Sequence, residues 1–200
     1  MSLNKQSKTL TTTQIKVMSD YLLNGRNGLR NQTIFLLSVK SGLRAKEISQ
    51  LQWKEVCNSN GEVDTHINLT NRSSKGLSGR IIPINKDLRK NLIELLDQQQ
   101  RMYRSFNIDT SFVVQTERSP FTTSQCVVNM FQSWYRRLGL LGCSSHSGRR
   151  TFITETSKKI SLVGGSLRDI QMMVGHKSLQ TTQRYIESDS ESQRKVVDLI

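Results

Sequence analysis

The sequence predicts a mostly helical domain carrying one small antiparallel β-hairpin. Apolar residues recur at helical spacing through most of its 200 residues. Alternation appears once, between Val63 and Leu69, with a second strand expected at Arg80 to Ile84. Hydroxyl residues and glycines punctuate the periodic stretches where helices would begin and end.

Residues 1–10 are polar and are expected to be loose. Thr11 to Thr13 offer N-caps for a helix running to about Leu23, with Ile15, Met18, Tyr21 and Leu22 on one face, and Gly25 and Gly28 should break it. A second helix is expected from about Arg30 to Lys40, ended by Gly42, and a short one from Ala45 to Leu51. Asn58 to Gly61 form a turn cluster. Val63, Thr65, Ile67 and Leu69 alternate with polar neighbours as a strand. The Ser/Gly/Asn-rich residues 70–79 then turn the chain into a second strand, Arg80 to Ile84, where Pro83 implies an edge or a strand end. Asp87 to about Met102 is amphipathic, with Leu88, Leu92, Leu95 and Leu96 together. Phe112 to Val114 is a short apolar piece, and Thr123 to Leu138 is helical with Val127, Met130, Phe131 and Trp134 inward. Ser144 or Ser145 should cap a helix reaching about Ile160. After the Gly164-Gly165 break, Ser166 caps Leu167 to Val174, Gly175 ends that helix, and a last one should carry Thr181 to Glu187.

Composition narrows the function classes. Lys and Arg outnumber Asp and Glu by 29 to 16, a formal charge of +13 that favours a polyanionic partner. A membrane surface competes for that role, but no apolar run approaches the roughly 18 residues of a spanning helix. Met1 to Thr13 has no apolar centre of a signal peptide, so a cytoplasmic protein is expected. Cys57, Cys126 and Cys143 are odd in number and widely spaced, as reduced thiols would be. Cys143-x-x-His146 lacks the two further ligands of a zinc site, so no metal is assigned.

A hydroxyl nucleophile attacking a phosphodiester needs positive donors on the non-bridging oxygens and an acid for the leaving oxygen. Candidate donors sit beside predicted breaks: Arg44 after Ser41-Gly42-Leu43, Lys75 in the Ser/Gly turn, His146 and Arg149 at a helix start, and His176 after Gly175. Spaced three apart, His146 and Arg149 share one face of a first helical turn. Tyr185 is the candidate nucleophile. Taken singly, each has a plainer reading: an amphipathic Tyr, a surface Arg, a capping or core His. Lys75 shares its turn with Arg72 and Arg80.

Four segments carry a resemblance: "SGLRAKEISQLQW", "SSKGLSGRIIPI", "SHSGRRTFIT" and "MMVGHKSLQTTQRYI". In this order, with H-x-x-R followed by G-H and a tyrosine nine residues later, they resemble the tyrosine recombinases, the phage integrase family, over roughly residues 11–187. The resemblance implies the catalytic-domain fold of that family and a site-specific DNA recombinase acting through a 3′-phosphotyrosyl intermediate. Arg44, His146 and Arg149 would hold the scissile phosphate, His176 would add a hydrogen bond, Lys75 would protonate the leaving 5′ oxygen, and Tyr185 would attack. Glu47 looks like the acidic residue that supports this network, and no metal or nucleotide cofactor is implied. Arg72, Arg80, Arg150, Lys177 and Arg184 are assigned to DNA contact.

Gly148 stands where the family often has leucine, which is expected to loosen a core contact. Many members also carry a separate N-terminal DNA-binding domain, whereas here the catalytic pattern begins within the first few dozen residues, implying either action without that clamp or a truncated chain. Residues 188–200 form a tail ending in Val196, Val197, Leu199 and Ile200, a patch suited to exchange between subunits. The expected partner is double-stranded DNA, bound by a free monomer that assembles as a homotetramer on paired sites. A catalytically idle DNA-binding regulator and a topoisomerase-like relaxing enzyme are the alternatives.

Overall fold

Caps decide where the helices start. The computed structural model describes residues 7–71, 79–185 and 197. Helix α1 spans Thr12–Leu23. The Thr11 hydroxyl accepts from the Gln14 amide at 3.2 Å, and the Gln14 side chain accepts from the Thr11 amide at 2.9 Å, a reciprocal cap that satisfies two orphan donors. Helix α2 (Gly28–Ser41) follows, opened by the glycine expected to break the chain. A Cβ on Gly28 would lie 1.9 Å from the Leu23 carbonyl oxygen, so only glycine lets α2 start this close to the end of α1. From Thr33 to Val39 every residue of α2 is buried, making it the central helix, in contact with α1, α4 and α6.

Helix α3 (Ala45–Gln50) and a 3₁₀ turn at Trp53–Glu55 precede the hairpin. Strands β1 (His66–Leu69) and β2 (Arg80–Pro83) pair antiparallel, with Ile67 opposite Ile82 and Leu69 opposite Arg80. Ile67, Leu69 and Ile82 face inward and Ile81 outward, as a pleat requires. The pairing is shorter than the alternation suggested: Thr65 is exposed and lies outside β1, and Val63 makes only a bridge to Cys57. Helix α4 (Lys86–Met102) is capped by the Asn85 side chain, and α5 (Ser124–Arg137) by the Thr123 hydroxyl.

Helix α6 spans Ser147–Lys159 and runs into a 3₁₀ turn, Ile160–Val163. Neither Ser144 nor Ser145 takes the cap position, which His146 occupies. Instead the Ser144 hydroxyl accepts from the His146 amide at 3.2 Å, and the Ser147 hydroxyl accepts from the Ser144 amide at 3.0 Å, so the serines shape the turn before the helix. Helix α7 (Leu167–Val174) ends at Gly175, whose φ of 63° is the left-handed cap the sequence implied. Helix α8 spans Leu179–Gln183. It stops short of the expected end, leaving Tyr185 in the turn beyond, its amide bonded to the Thr182 carbonyl at 3.0 Å.

Residues 7–10, expected to be loose, are strapped to the body. The Lys8 amide donates to the Gly142 carbonyl at 3.0 Å, the Leu10 amide donates to the Thr151 hydroxyl at 2.8 Å, and Leu10 itself is buried. Residues 1–6 and, Val197 apart, the tail from 188 onward lie outside the described residues.

The core divides into two. The larger cluster gathers α1 to α5, the hairpin and Trp53. The smaller is built on Ile153, Ile170 and Val174 of α6 and α7, with Phe152, Ile160, Leu167, Met173 and Tyr185 packed against it. Gly148 corrects an expectation: it tightens a contact rather than loosening one. A Cβ there would meet the Ser38 hydroxyl oxygen of α2 within hydrogen-bond range and the Ser38 Cβ at 2.9 Å, so α2 and α6 touch backbone to backbone. Among the described residues no helix is long and apolar enough to cross a membrane.

Candidate active site

The α2–α3 junction places the first arginine. Gly42, at φ 64°, turns the chain out of α2, and Arg44 takes the extended N-cap conformation of α3. Glu47, at the third position of α3, reaches back: one carboxylate oxygen accepts from the Arg44 amide at 2.8 Å and the other from the Arg44 Nη1 at 2.8 Å. Glu47 is 1% exposed, whereas Arg44 keeps 31% of its side chain open. Burial alone would raise the Glu47 pKa, but hydrogen bonds and charge from Arg80, then Arg44, reverse this and hold it below the usual carboxylate range.

Arg149 bolts this junction to α7. Its Nη1 donates to the Gly42 carbonyl at 2.5 Å and its Nη2 to the Val174 carbonyl at 2.7 Å. Both acceptors close helix C-termini, where a cation is favoured. Arg149 is 4% exposed. Burial, with repulsion from Arg44 and Arg80, lowers its pKa to about 9, still high enough to keep the charge at neutral pH.

His176 follows the Gly175 cap. Its Nδ1 lies 3.0 Å from the hydroxyl of Thr182, and its ring stacks on Tyr185 with centroids 5.7 Å apart and planes 22° apart. Gln171 clamps the His176 backbone at both ends, accepting from its amide and donating to its carbonyl. Burial, then the charges of Arg149, Arg44 and Arg80, push the imidazole down to about 4, so it is neutral at physiological pH. Tyr185 also couples electrostatically to Arg149. Four segments distant in sequence therefore converge: Arg44 with Glu47, Arg80, Arg149, and His176 with Tyr185.

The remaining candidates are placed differently. His146 is exposed at the start of α6, and among the described residues its ring makes no hydrogen bond. Arg150 donates from Nη1 to the Ser7 carbonyl at 3.1 Å and so ties down the N-terminal strap. Lys177 and Arg184 are exposed beside His176 and Tyr185. Arg72 and Lys75 lie outside the described residues. Arg80 does not face solvent: its side chain is 6% exposed and paired with Glu47. Pleat periodicity carried that signal, since Arg80 and Ile82 share the inward face of β2. Thr182 was missed altogether, and its place three residues before Tyr185 in a helical segment was the available cue.

Comparison with known proteins bears on the family and the fold. The sequence profile of the phage integrase family matches residues 8–192. The tyrosine recombinase XerC of Lactobacillus delbrueckii subsp. bulgaricus is 27% identical over 158 residues, covering 78% of this chain and 50% of that protein. The tyrosine recombinase XerA of Pyrococcus horikoshii is 28% identical over 191 residues, covering 96% and 60%. The chain thus spans about half the length of the curated relatives it matches. Among solved structures, the Tn1549 transposon integrase in complex with a circular intermediate DNA superposes with a TM-score of 0.75 at 17% identity, over 98% of this chain and 66% of that one, which establishes a shared fold.

Proposed function

The chain belongs to the phage integrase family, and from that premise we propose that it is the catalytic unit of a site-specific DNA recombinase that cuts and rejoins double-stranded DNA through a 3′-phosphotyrosyl link. The observation that carries the reading is the meeting of Arg44, Arg149, His176 and Tyr185, delivered by separate elements around one buried carboxylate.

Three guanidiniums, Arg44, Arg80 and Arg149, share the single carboxylate of Glu47. Such an excess of buried positive charge suits an anion. Arg44, with 31% of its side chain open, offers a planar fork that matches the non-bridging oxygens of a phosphodiester. Arg149 keeps its Nε–H and the second hydrogen of each Nη beyond its two carbonyl bonds, and His146, exposed at the start of α6, would join them. His176 is neutral; with Thr182 donating to its Nδ1, the Nε2–H is left to donate to the same phosphate. The Tyr185 oxygen attacks phosphorus as its proton leaves to solvent, a phosphotyrosyl bond forms, and the bond to the 5′ oxygen breaks. Lys75 delivers a proton to that oxygen, a role arginine fills badly because it holds its proton too tightly. One ester replaces another, so rejoining by the freed 5′ hydroxyl is the same step reversed.

The DNA-contact assignments of Lys177 and Arg184 fit their exposed positions beside Tyr185. The partner state we favour is a free monomer that forms a tetramer on paired sites. Leu162 and Val163, exposed at the end of α6, are apolar surface of the kind such contacts bury.

Incubation with a nicked suicide duplex tests the reading. The wild-type protein should accumulate a covalent protein–DNA adduct, and Tyr185→Phe should bind DNA without forming one. No adduct from the wild-type protein would favour an idle DNA-binding regulator. An adduct without exchange of strands between duplexes would favour a topoisomerase-like enzyme.

A further inference from the structure

Arg80 is the member of the cluster whose chemistry the reaction above does not use. Toward the described residues its guanidinium faces two ways. Nη1 and Nη2 donate to the two oxygens of Glu47 at 2.9 and 3.0 Å, a fork-to-fork pair. Nε donates to the Met173 carbonyl at 2.8 Å, in the last turn of α7. Its stem runs under Gly175, where a Cβ would come within 3.1 Å of the Arg80 Cδ. Arg80 therefore links the Arg44–Glu47 corner to the helix end that presents His176, from a strand that touches neither catalytic side chain through these bonds.

Glu47 has two oxygens and receives four hydrogen bonds: two from Arg80, and one each from the amide and the Nη1 of Arg44. Because Arg80 takes the fork, Arg44 has a single side-chain bond to Glu47. A carboxylate prefers a bidentate guanidinium partner when one is within reach. Arg44 is three residues from Glu47 and partly open. We propose that Arg80 is a positioning residue: by occupying Glu47 it keeps Arg44 from closing onto that carboxylate, and so holds the Arg44 guanidinium's free edge and charge available to phosphate. This rests on the reading of Arg44 as a phosphate ligand.

The test uses Arg80→Gln, Arg80→Lys, and Arg80→Gln combined with Glu47→Gln, all in the full chain. Arg80→Gln should slow adduct formation on a saturating nicked duplex by roughly 10–100-fold, the usual loss when a residue that orients a functional group is removed. The salt slope of DNA binding should fall by about 1 in Arg80→Gln, because Arg44 no longer reaches phosphate, and should recover in the double variant, where Arg44 is released. Arg80→Lys keeps the charge but cannot make the fork, and should be intermediate if it folds normally. The deciding readout is the Arg44 Nε–H resonance during titration with inorganic phosphate. It should shift in the wild-type protein, fail to shift in Arg80→Gln, and shift again in the double variant, where the neutral amide no longer captures Arg44. A merely structural Arg80 would leave the Arg44 response intact in the folded Arg80→Gln protein, and that outcome overturns the proposal. So does an unchanged rate, or a salt slope that stays lowered in the double variant, which would make Arg80 a DNA contact. A wild-type Arg44 that ignores phosphate would instead remove the phosphate-ligand reading beneath it. Should Arg80→Gln not fold, the proposal stands or falls on the same titration in Arg80→Lys.

Discussion

Gly148→Ala adds one methyl where α6 crosses α2, and the structure sets its cost. The new Cβ would overlap the Ser38 hydroxyl and stand 2.9 Å from the Ser38 Cβ and 3.3 Å from its carbonyl carbon. The obstacle is thus partly backbone and cannot swing aside. Overpacking of this kind costs about 1–3 kcal/mol. Replacing a helical glycine returns about 1 kcal/mol of helix propensity, so the net loss should be about 0–2 kcal/mol, toward the upper end because backbone is part of the obstacle. At this chain length that lowers Tm by roughly 2–4 °C per kcal/mol. Among the described residues the Ser38 hydroxyl is itself buried without a hydrogen-bond partner, so Ser38→Ala should be neutral or stabilising by up to about 1 kcal/mol. In the Gly148→Ala background Ser38→Ala should recover part of the loss, because the oxygen goes while the Cβ stays, and Ser38→Gly should recover most of the clash. A double-mutant cycle by urea unfolding measures this coupling, expected at about 1 kcal/mol or more. Because Arg149 is the next residue, forcing α6 away from α2 should also draw its Nη1 from the Gly42 carbonyl and slow cleavage. If Gly148→Ala is as stable as the wild type and shows no coupling to Ser38, the close crossing is not real.

Thr182→Val keeps shape but removes the hydroxyl that meets the His176 Nδ1. It should cost about 1–3 kcal/mol in urea unfolding, and slow cleavage less than loss of a transition-state donor, which is worth about 10²–10³-fold. His176 is held neutral in the fold, its pKa down to about 4 from the ordinary 6.5. Because the folded pKa is the lower, its contribution to stability is complete above about pH 6.5 and is lost as pH falls toward 4; urea midpoints of the wild type and His176→Gln should converge over that window. Bound phosphate should raise the His176 pKa, visible as a shifted imidazole titration by NMR. Arg149→Lys cannot span the Gly42 and Val174 carbonyls together, and should lose cleavage by orders of magnitude while retaining most DNA affinity.

Helices with a wide apolar stripe were legible because burial and period agree. In α4, Leu88, Leu92, Leu95 and Leu96 all enter the core, and Thr11, one of the three threonines offered as N-caps of α1, takes that place. Elements shaped by neighbours were not. Tyr185 was placed on a helix because Thr181 to Arg184 read as helical, yet α8 ends at Gln183 and its last turn is spent orienting Thr182 toward His176. Arg80 was assigned to DNA because an arginine beside a polar turn usually meets solvent. A single buried acid, Glu47, overrides that rule, and its sequence separation of 33 residues hides the pair. Gly148 was judged by what a family often places there, whereas Ser38, 110 positions earlier, decides what fits.

The split core gives these side chains a mechanical sense. Arg44 and Glu47 stand on the large cluster, while His176 and Tyr185 stand on the small one of α6 and α7, at whose centre, among the described residues, are three fully buried apolar side chains. A unit with so few buried apolar contacts opens at lower free energy than the rest of the domain. What joins the two halves at the site is polar and specific: Arg149 to the Gly42 and Val174 carbonyls, and Arg80 to Glu47 and the Met173 carbonyl. The segment carrying Tyr185 is therefore joined to the Arg44–Glu47 corner by two arginines beside the α2–α6 crossing at Gly148. Amide exchange in α7 should then be faster than in α2, and Arg149→Lys should accelerate it in α7 and α8 alone. Uniform acceleration across the whole domain, α2 included, would mean that the two clusters unfold as one.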